Sequence, residues 1–242
     1  MVILQGIFRR AQRHWGLTVN PAVGIERQPV RRSGEFRVLS PEQVHALARA
    51  AASEQDAAIY TTAAFAGLRL GEVRALRWRD VDFSLRVIHV RRSYVLSAED
   101  SPKSGRVRAV PLSDQVARTL EALSRRPHYT APNDLVFPGP EGAYLEDSAL
   151  RRRFYNAMAA AELEHLRFHD LRHTFGTLAV QVFPLSDVKA YMGHADIATT
   201  MIYVHHVPRH DAADRLSAQL GSAATAVELS AADPAVDAEH SG

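Results

Sequence analysis

Cysteine is absent from this chain of 242 residues, so neither a disulfide framework nor a thiolate metal site is available to it. Lysine is nearly absent as well. Only Lys103 and Lys189 occur among 29 basic residues, and the rest are arginine. Apolar runs are short and interrupted, and no charged-then-apolar leader opens the sequence. That argues against a secretory signal or a membrane span and makes a cytoplasmic protein the expectation. There is no glycine-rich nucleotide loop and no internal repeat.

What is present is 46% apolar content, enough to bury a full core in one domain with some length left over. The net charge is only +2, but it is unevenly spread. Residues 1–37 carry seven Arg against two Glu, whereas residues 221–242 carry four acids and no Lys or Arg. A basic front end is an electrostatic footprint suited to phosphate backbones. A solvated arginine-rich helix face would produce the same count.

Along the chain, residues 2–15 alternate apolar and basic positions at helical spacing, and Gly16 and Asn20-Pro21 stop the helix. A basic linker, 26–37, leads to Ser40-Pro41, an N-cap followed by proline at the first helical position. Two or three helices are expected over 41–76, broken near Gly67. Residues 86–90 and 106–110 read as β-strands joined by a polar turn. Helix signals return at 113–125, and 135–138 looks extended. Further helices are expected at about 146–162, 169–181, 185–192, 196–204 and 209–219. The Ala-rich acidic tail, 221–242, has no periodicity and is expected to be disordered. The fold class is therefore mainly α with a small antiparallel β-sheet (α+β).

The chemistry concentrates near the C-terminus. In His169-Asp170-Leu171-Arg172, a His and an Arg lie three apart, on one face of a helix. His194 follows in Met192-Gly193-His194, and Tyr203 comes nine residues later. A nucleophile, a proton acceptor and a fixed cation suit phosphoryl transfer to a side chain, where positioning and charge stabilisation do most of the catalysis. His169 and His173 imitate the His-Glu-x-x-His zinc pair, but Asp170 is shorter than Glu and Arg172 beside them disfavours a dication. Upstream, Arg69 and Glu72 are spaced to pair on a helix. That pairing alone reads as an ordinary salt bridge. Lys103 sits in the polar turn, where a lysine is ordinarily just solvated.

Taken in order, Arg69 and Glu72, Lys103 on a hairpin, His169 and Arg172, His194 and Tyr203 resemble the tyrosine recombinase family, which includes the phage integrases. Gly67-Leu68-Arg69, Ala75–Asp82, Val110-Pro111-Leu112, His169–Thr174 and Met192-Gly193-His194 resemble its sequence blocks, and the resemblance covers roughly 38–218. It implies a catalytic-domain fold of the DNA breaking-rejoining type over 38–220. It also implies Tyr203 as the nucleophile, forming a 3′-phosphotyrosyl link and a free 5′-hydroxyl without ATP, metal or other cofactor. Arg69, Arg172 and His194 would bind the scissile phosphate. His169 would take the tyrosine proton, Lys103 would protonate the leaving 5′-oxygen, and Glu72 would orient the basic groups. Tyr191, the rival tyrosine, reads as core. The partner implied is double-stranded DNA, with a homo-tetramer assembled on it and no membrane.

Family members carry a helical core-binding domain ahead of the catalytic one, and residues 1–25 resemble only the last part of it. The expectation is therefore weak DNA binding with a shallow salt dependence. Val182-Phe183-Pro184-Leu185 departs from the glycine often found before the helix that leads to Gly193-His194, but Pro184 can start that helix too. Two alternatives stay open: a non-catalytic integrase remnant that binds DNA or partner recombinases, and a topoisomerase IB-like enzyme that nicks and rejoins one strand.

Overall fold

The computed structural model describes residues 2–25, 36–100 and 107–206. The expected linker residues 26–35, the expected turn carrying Lys103, and the expected helix at 209–219 with the tail behind it lie outside the described residues. The chain divides into two compact units, one up to Glu35 and one from Phe36 onward. No helix among the described residues is long and apolar enough to cross a membrane.

The first unit holds helix α1, Val2–Trp15, as its periodicity predicts. After it the chain turns at Asn20. The Asn20 side-chain oxygen accepts from the Ala22 amide at 2.9 Å, and Gln5 donates to the Ala22 carbonyl at 3.1 Å. That is a turn in which a short amide side chain substitutes for backbone.

In the second unit, α2 (Pro41–Arg49) begins with a reciprocal cap. The Ser40 hydroxyl accepts from the Gln43 amide, and the Gln43 side chain accepts from the Ser40 amide. Just before it, the Leu39 amide donates to the Thr174 hydroxyl at 3.0 Å, fixing where the chain enters. Helix α3 (Glu54–Ala66) is buried on nearly every side and forms the centre of the domain. Its run of alanines lets neighbouring helices approach closely, and α5 (Asp114–Ser124) and α7 (Asp170–Val182) pack directly on it. Asp56 at its start is buried but paired with Arg153 of α6 (Asp147–Ala160) through two bonds of 2.8 and 3.1 Å. Ile59, Tyr60, Leu120, Leu150, Phe154 and Leu171 fill the core between these helices.

Gly67 ends α3 at φ +65°, and a methyl there would sit 2.3 Å from the Phe175 ring. Any other residue would meet both the left-handed penalty and that clash. This sharp turn passes directly into α4 (Leu70–Arg74).

The sheet is β1 (Val81–Asp82), β2 (Val87–Val90) and β5 (Arg108–Pro111), in the order β1-β2-β5 and antiparallel throughout. Ile88 pairs with Val110, and both are fully buried. The single polar turn expected between the two long strands is in fact more elaborate. β3 (Ser93–Val95) and β4 (Ala98–Asp100) form a separate two-stranded hairpin there. Its turn residues Leu96 and Ser97 both adopt positive φ, +51° and +61°. Such a turn ordinarily calls for Asn-Gly, so the local sequence does not announce it. Tertiary contacts hold it instead, with Tyr94 stacked on Tyr144 at 3.7 Å and Arg74 lying over the Tyr94 ring. The segment 135–138, expected to be extended, makes isolated bridges at Leu135 and Pro138 and bends between them. The chain then runs through α8 (Leu185–Met192), started by Pro184, and α9 (Ala198–His206).

Candidate active site

The site forms where the turn after α3, strand β5 and the starts and ends of α7, α8 and α9 converge. Arg69 precedes α4 as its N-cap, and Glu72 stands at the third helical position. One Glu72 oxygen accepts from the Arg69 amide at 2.8 Å and the other from its guanidinium at 3.0 Å. The pair therefore does more than bridge a helix surface: it closes the turn that Gly67 opens. The other terminal nitrogen of Arg69 donates to the Gly193 carbonyl at 3.2 Å.

Arg172 projects from the first turn of α7 and is 3% exposed. It donates to the carbonyls of Gly67 and Met192, drawing the ends of α3 and α8 together. Burial lowers its pKa to about 9, with Arg69 adding to the effect, so it remains a cation at neutral pH. His169 is the residue just before α7, already at helical dihedrals. His194 follows Gly193, and its Nδ1 lies 2.8 Å from the Thr200 hydroxyl in α9. Burial, then Arg172 and Arg69, hold its imidazole down at about 3, so it is neutral in ordinary buffers.

Tyr203 is 1% exposed. Its ring lies nearly parallel to that of His194, with centroids 6.3 Å apart. It fills a space that exists because residue 176 is glycine: a methyl there would be 2.5 Å from the tyrosine Cζ. Burial raises its phenol to about 12, although Arg172 and Arg69 pull the other way. The phenolate is scarce at neutral pH, so an attack by this oxygen requires a proton acceptor.

Arg69, Glu72, Arg172, His194 and Tyr203 are thus brought together by direct bonds, ring contacts or mutual electrostatics, and His169 borders them. Lys103 lies outside the described residues. Tyr191 is half-buried against Phe183, at 5.4 Å.

Two neighbours were not singled out for the site by sequence reasoning. Arg108 donates to both oxygens of Glu72, at 2.8 and 2.7 Å, and to the Tyr191 carbonyl at 2.7 Å. A signal for it existed, because Arg108 alternates onto the same strand face as buried Val110, and a cation there needs a partner. His173 contacts the Tyr203 hydroxyl, 3.0 Å from its Nδ1. It sits one helical turn after His169 on α7, but nothing in that spacing points to a tyrosine 30 residues further on.

Three arginines surround one carboxylate, and the three imidazoles nearby are all shifted toward neutrality. A surplus of positive charge favours an anion, and the forked geometry of guanidinium suits phosphate oxygens. A cleft of about 770 Å³, lined by Arg108, Lys189, Gly193 and His194, opens at this point.

A helical domain with small antiparallel sheets and this arrangement of elements is the fold of tyrosine recombinase catalytic domains. The structure resembles that of the Tn1549 transposon integrase in complex with circular intermediate DNA, with a TM-score of 0.65 over 89% of this chain and 76% of that one, at 20% identity. In sequence, the chain is 34% identical over 141 residues to a tyrosine recombinase XerC of Xanthomonas campestris, covering 57% of this chain and 40% of the relative. It is 27% identical over 217 residues to a putative prophage phiRv2 integrase of Mycobacterium tuberculosis, covering 86% of this chain and 58% of the relative. The chain therefore spans about half the length of these curated relatives. The sequence profile of the phage integrase family matches residues 37–210. This chain belongs to that family.

Proposed function

We propose that the chain is a site-specific DNA strand transferase that cuts and rejoins double-stranded DNA through a 3′-phosphotyrosyl intermediate. The observation that carries this reading is the placement of Tyr203 beside an arginine cluster whose positive charge exceeds that of its single carboxylate. Arg69 and Arg172 would hold the non-bridging oxygens of the scissile phosphate, with His194 as a third donor. Such donors stabilise the charge that builds up as the tyrosine oxygen attacks phosphorus. Glu72 keeps Arg69 in place. Lys103, in the segment that precedes β5 in sequence, would give a proton to the departing 5′-oxygen, and His169 completes the set at the start of α7. The bond energy is conserved in the phosphotyrosine, so rejoining requires no nucleotide. Residues 38–220 form the catalytic unit in this reading, and a homo-tetramer on DNA is the working assembly.

The test is a nicked suicide duplex incubated with the protein in EDTA. A covalent protein–DNA adduct is expected, and it should vanish in Tyr203→Phe. An adduct that persists in that variant, or one that requires a divalent metal, would overturn the assignment. No adduct at all would leave the chain as a non-catalytic DNA or partner binder.

A further inference from the structure

The cleft beside the site, at about 770 Å³, has more room than a single phosphate group needs. Half-buried Lys189, from the last turn of α8, lines it together with Arg108 and His194. Val107 and Ile197 give it an apolar wall, and both are exposed. Among the described residues, no carboxylate lines it. The acids on either side of Lys189 in sequence are engaged elsewhere. Asp187 accepts from the Ser186 hydroxyl at 3.2 Å, and Asp196 from the Ala198 amide at 3.0 Å.

The backbone fixes Lys189 against His194. Gly193 ends α8 in the left-handed conformation at φ +59°, and the His194 amide donates back to the Lys189 carbonyl at 3.1 Å. That bond closes a Schellman-type cap, which sets both residues on one rigid end of the helix. Arg108 is committed to Glu72 and to the Tyr191 carbonyl. Lys189 makes no ion pair among the described residues, so its charge is available to something that enters the cleft.

We propose that this cleft seats the nucleotide adjoining the scissile phosphate, with Lys189 holding the next phosphate along the strand and Val107 and Ile197 packing on the sugar. The assignment rests on the strand-transfer reading, because it takes His194 as a donor to the scissile phosphate. Lysine suits the task, since a compact charge on a flexible stem follows a backbone phosphate without a fixed orientation. Such a contact positions DNA and carries no sequence information. A lysine in the last turn of a helix also complements the helix dipole, but that role alone would leave the salt dependence of DNA binding untouched.

The experiment titrates a fluorescently labelled nicked duplex with the full chain over a series of salt concentrations, starting low. The slope of log affinity against log salt should become shallower by about one in Lys189→Gln. Lys189→Arg keeps the charge and should keep the slope. On a duplex whose phosphates flanking the cut are neutral methylphosphonates, Lys189→Gln and the unaltered protein should bind alike. An unchanged slope in Lys189→Gln would overturn the proposal, as would an equal loss in Lys189→Arg. A difference that persists on the neutral duplex would overturn the placement beside the cut, and so would failure of the unaltered protein to bind at low salt. The adduct assay judges strand transfer separately. If no adduct forms but the slope still changes, the strand-transfer reading fails while Lys189 stands as a phosphate contact.

Discussion

The guanidinium of Arg108 meets the carboxylate of Glu72 end on, with two parallel bonds of 2.8 and 2.7 Å between residues 36 positions apart. Both side chains are almost wholly buried. Glu72 also holds Arg69, so one carboxylate ties strand β5 to the turn that carries Arg69. Arg108 meanwhile reaches the Tyr191 carbonyl at the end of α8. The pair is a strut between the two halves of the site.

Removing one side of that strut leaves an uncompensated buried charge. Arg108→Ala should therefore cost about 3–5 kcal/mol in a urea melt. Combining Arg108→Met with Glu72→Gln should cost less than the sum of the two single changes, because the apolar replacement no longer strands a carboxylate. Strict additivity would show that the pair is not coupled.

Acid should weaken the fold in two stages. Burial lowers His173 to about 4 and His194 to about 3, from an ordinary 6.5. Between 6.5 and those values the unfolded chain takes up protons that the folded one refuses, so stability falls as pH drops. Glu72 follows: burial raises its carboxyl, but Arg108, Arg172 and Arg69 outweigh that and hold it at about 2, below its ordinary 4.5. Its contribution is complete above 4.5 and lost as pH falls toward 2. Chemical melts across this range should show the upper stage flattened in His194→Asn and the lower stage flattened in Glu72→Gln.

Gly176→Ala separates two opposed effects. In an exposed helix the change would stabilise by about 1 kcal/mol. Here the new methyl falls 2.5 Å from the Tyr203 ring, and overpacking of that kind costs about 1–3 kcal/mol. The melting temperature should drop, and adduct formation should slow by about a hundredfold as the hydroxyl is displaced. A rise in melting temperature with full activity would mean that the ring has room to move.

Ser40→Ala should cost about 1 kcal/mol by unmaking the start of α2. Adduct formation should change little, because Leu39 keeps its separate bond to Thr174. Thermal unfolding beside a single-turnover assay would check both halves.

Much of the architecture was legible in the residues, because its signals are local. Ser40-Pro41 starts α2, Gly67 stops α3, Pro184 starts α8, and α1 follows its periodicity to the residue. The β3–β4 hairpin was not legible, since Leu96-Ser97 is a poor advertisement for a left-handed turn and the stack of Tyr94 on Tyr144 joins positions 50 residues apart. In the site, the resemblance picked out the residues with recognisable neighbours, and Arg69, Glu72, Arg172, His194 and Tyr203 do gather.

What the sequence determined alone is most helices of the described residues, the strands β2 and β5, and a list of groups suited to phosphate chemistry. Those follow from spacing along one chain. The tertiary structure decided who touches whom: that Arg108 holds Glu72, that Arg172 clamps two carbonyls, and that the tyrosine hydroxyl turns to His173. Such pairings depend on where distant segments pack, and the desolvation that shifts His194 and Tyr203, like the arginines that lower Glu72, acts only once the core closes around them.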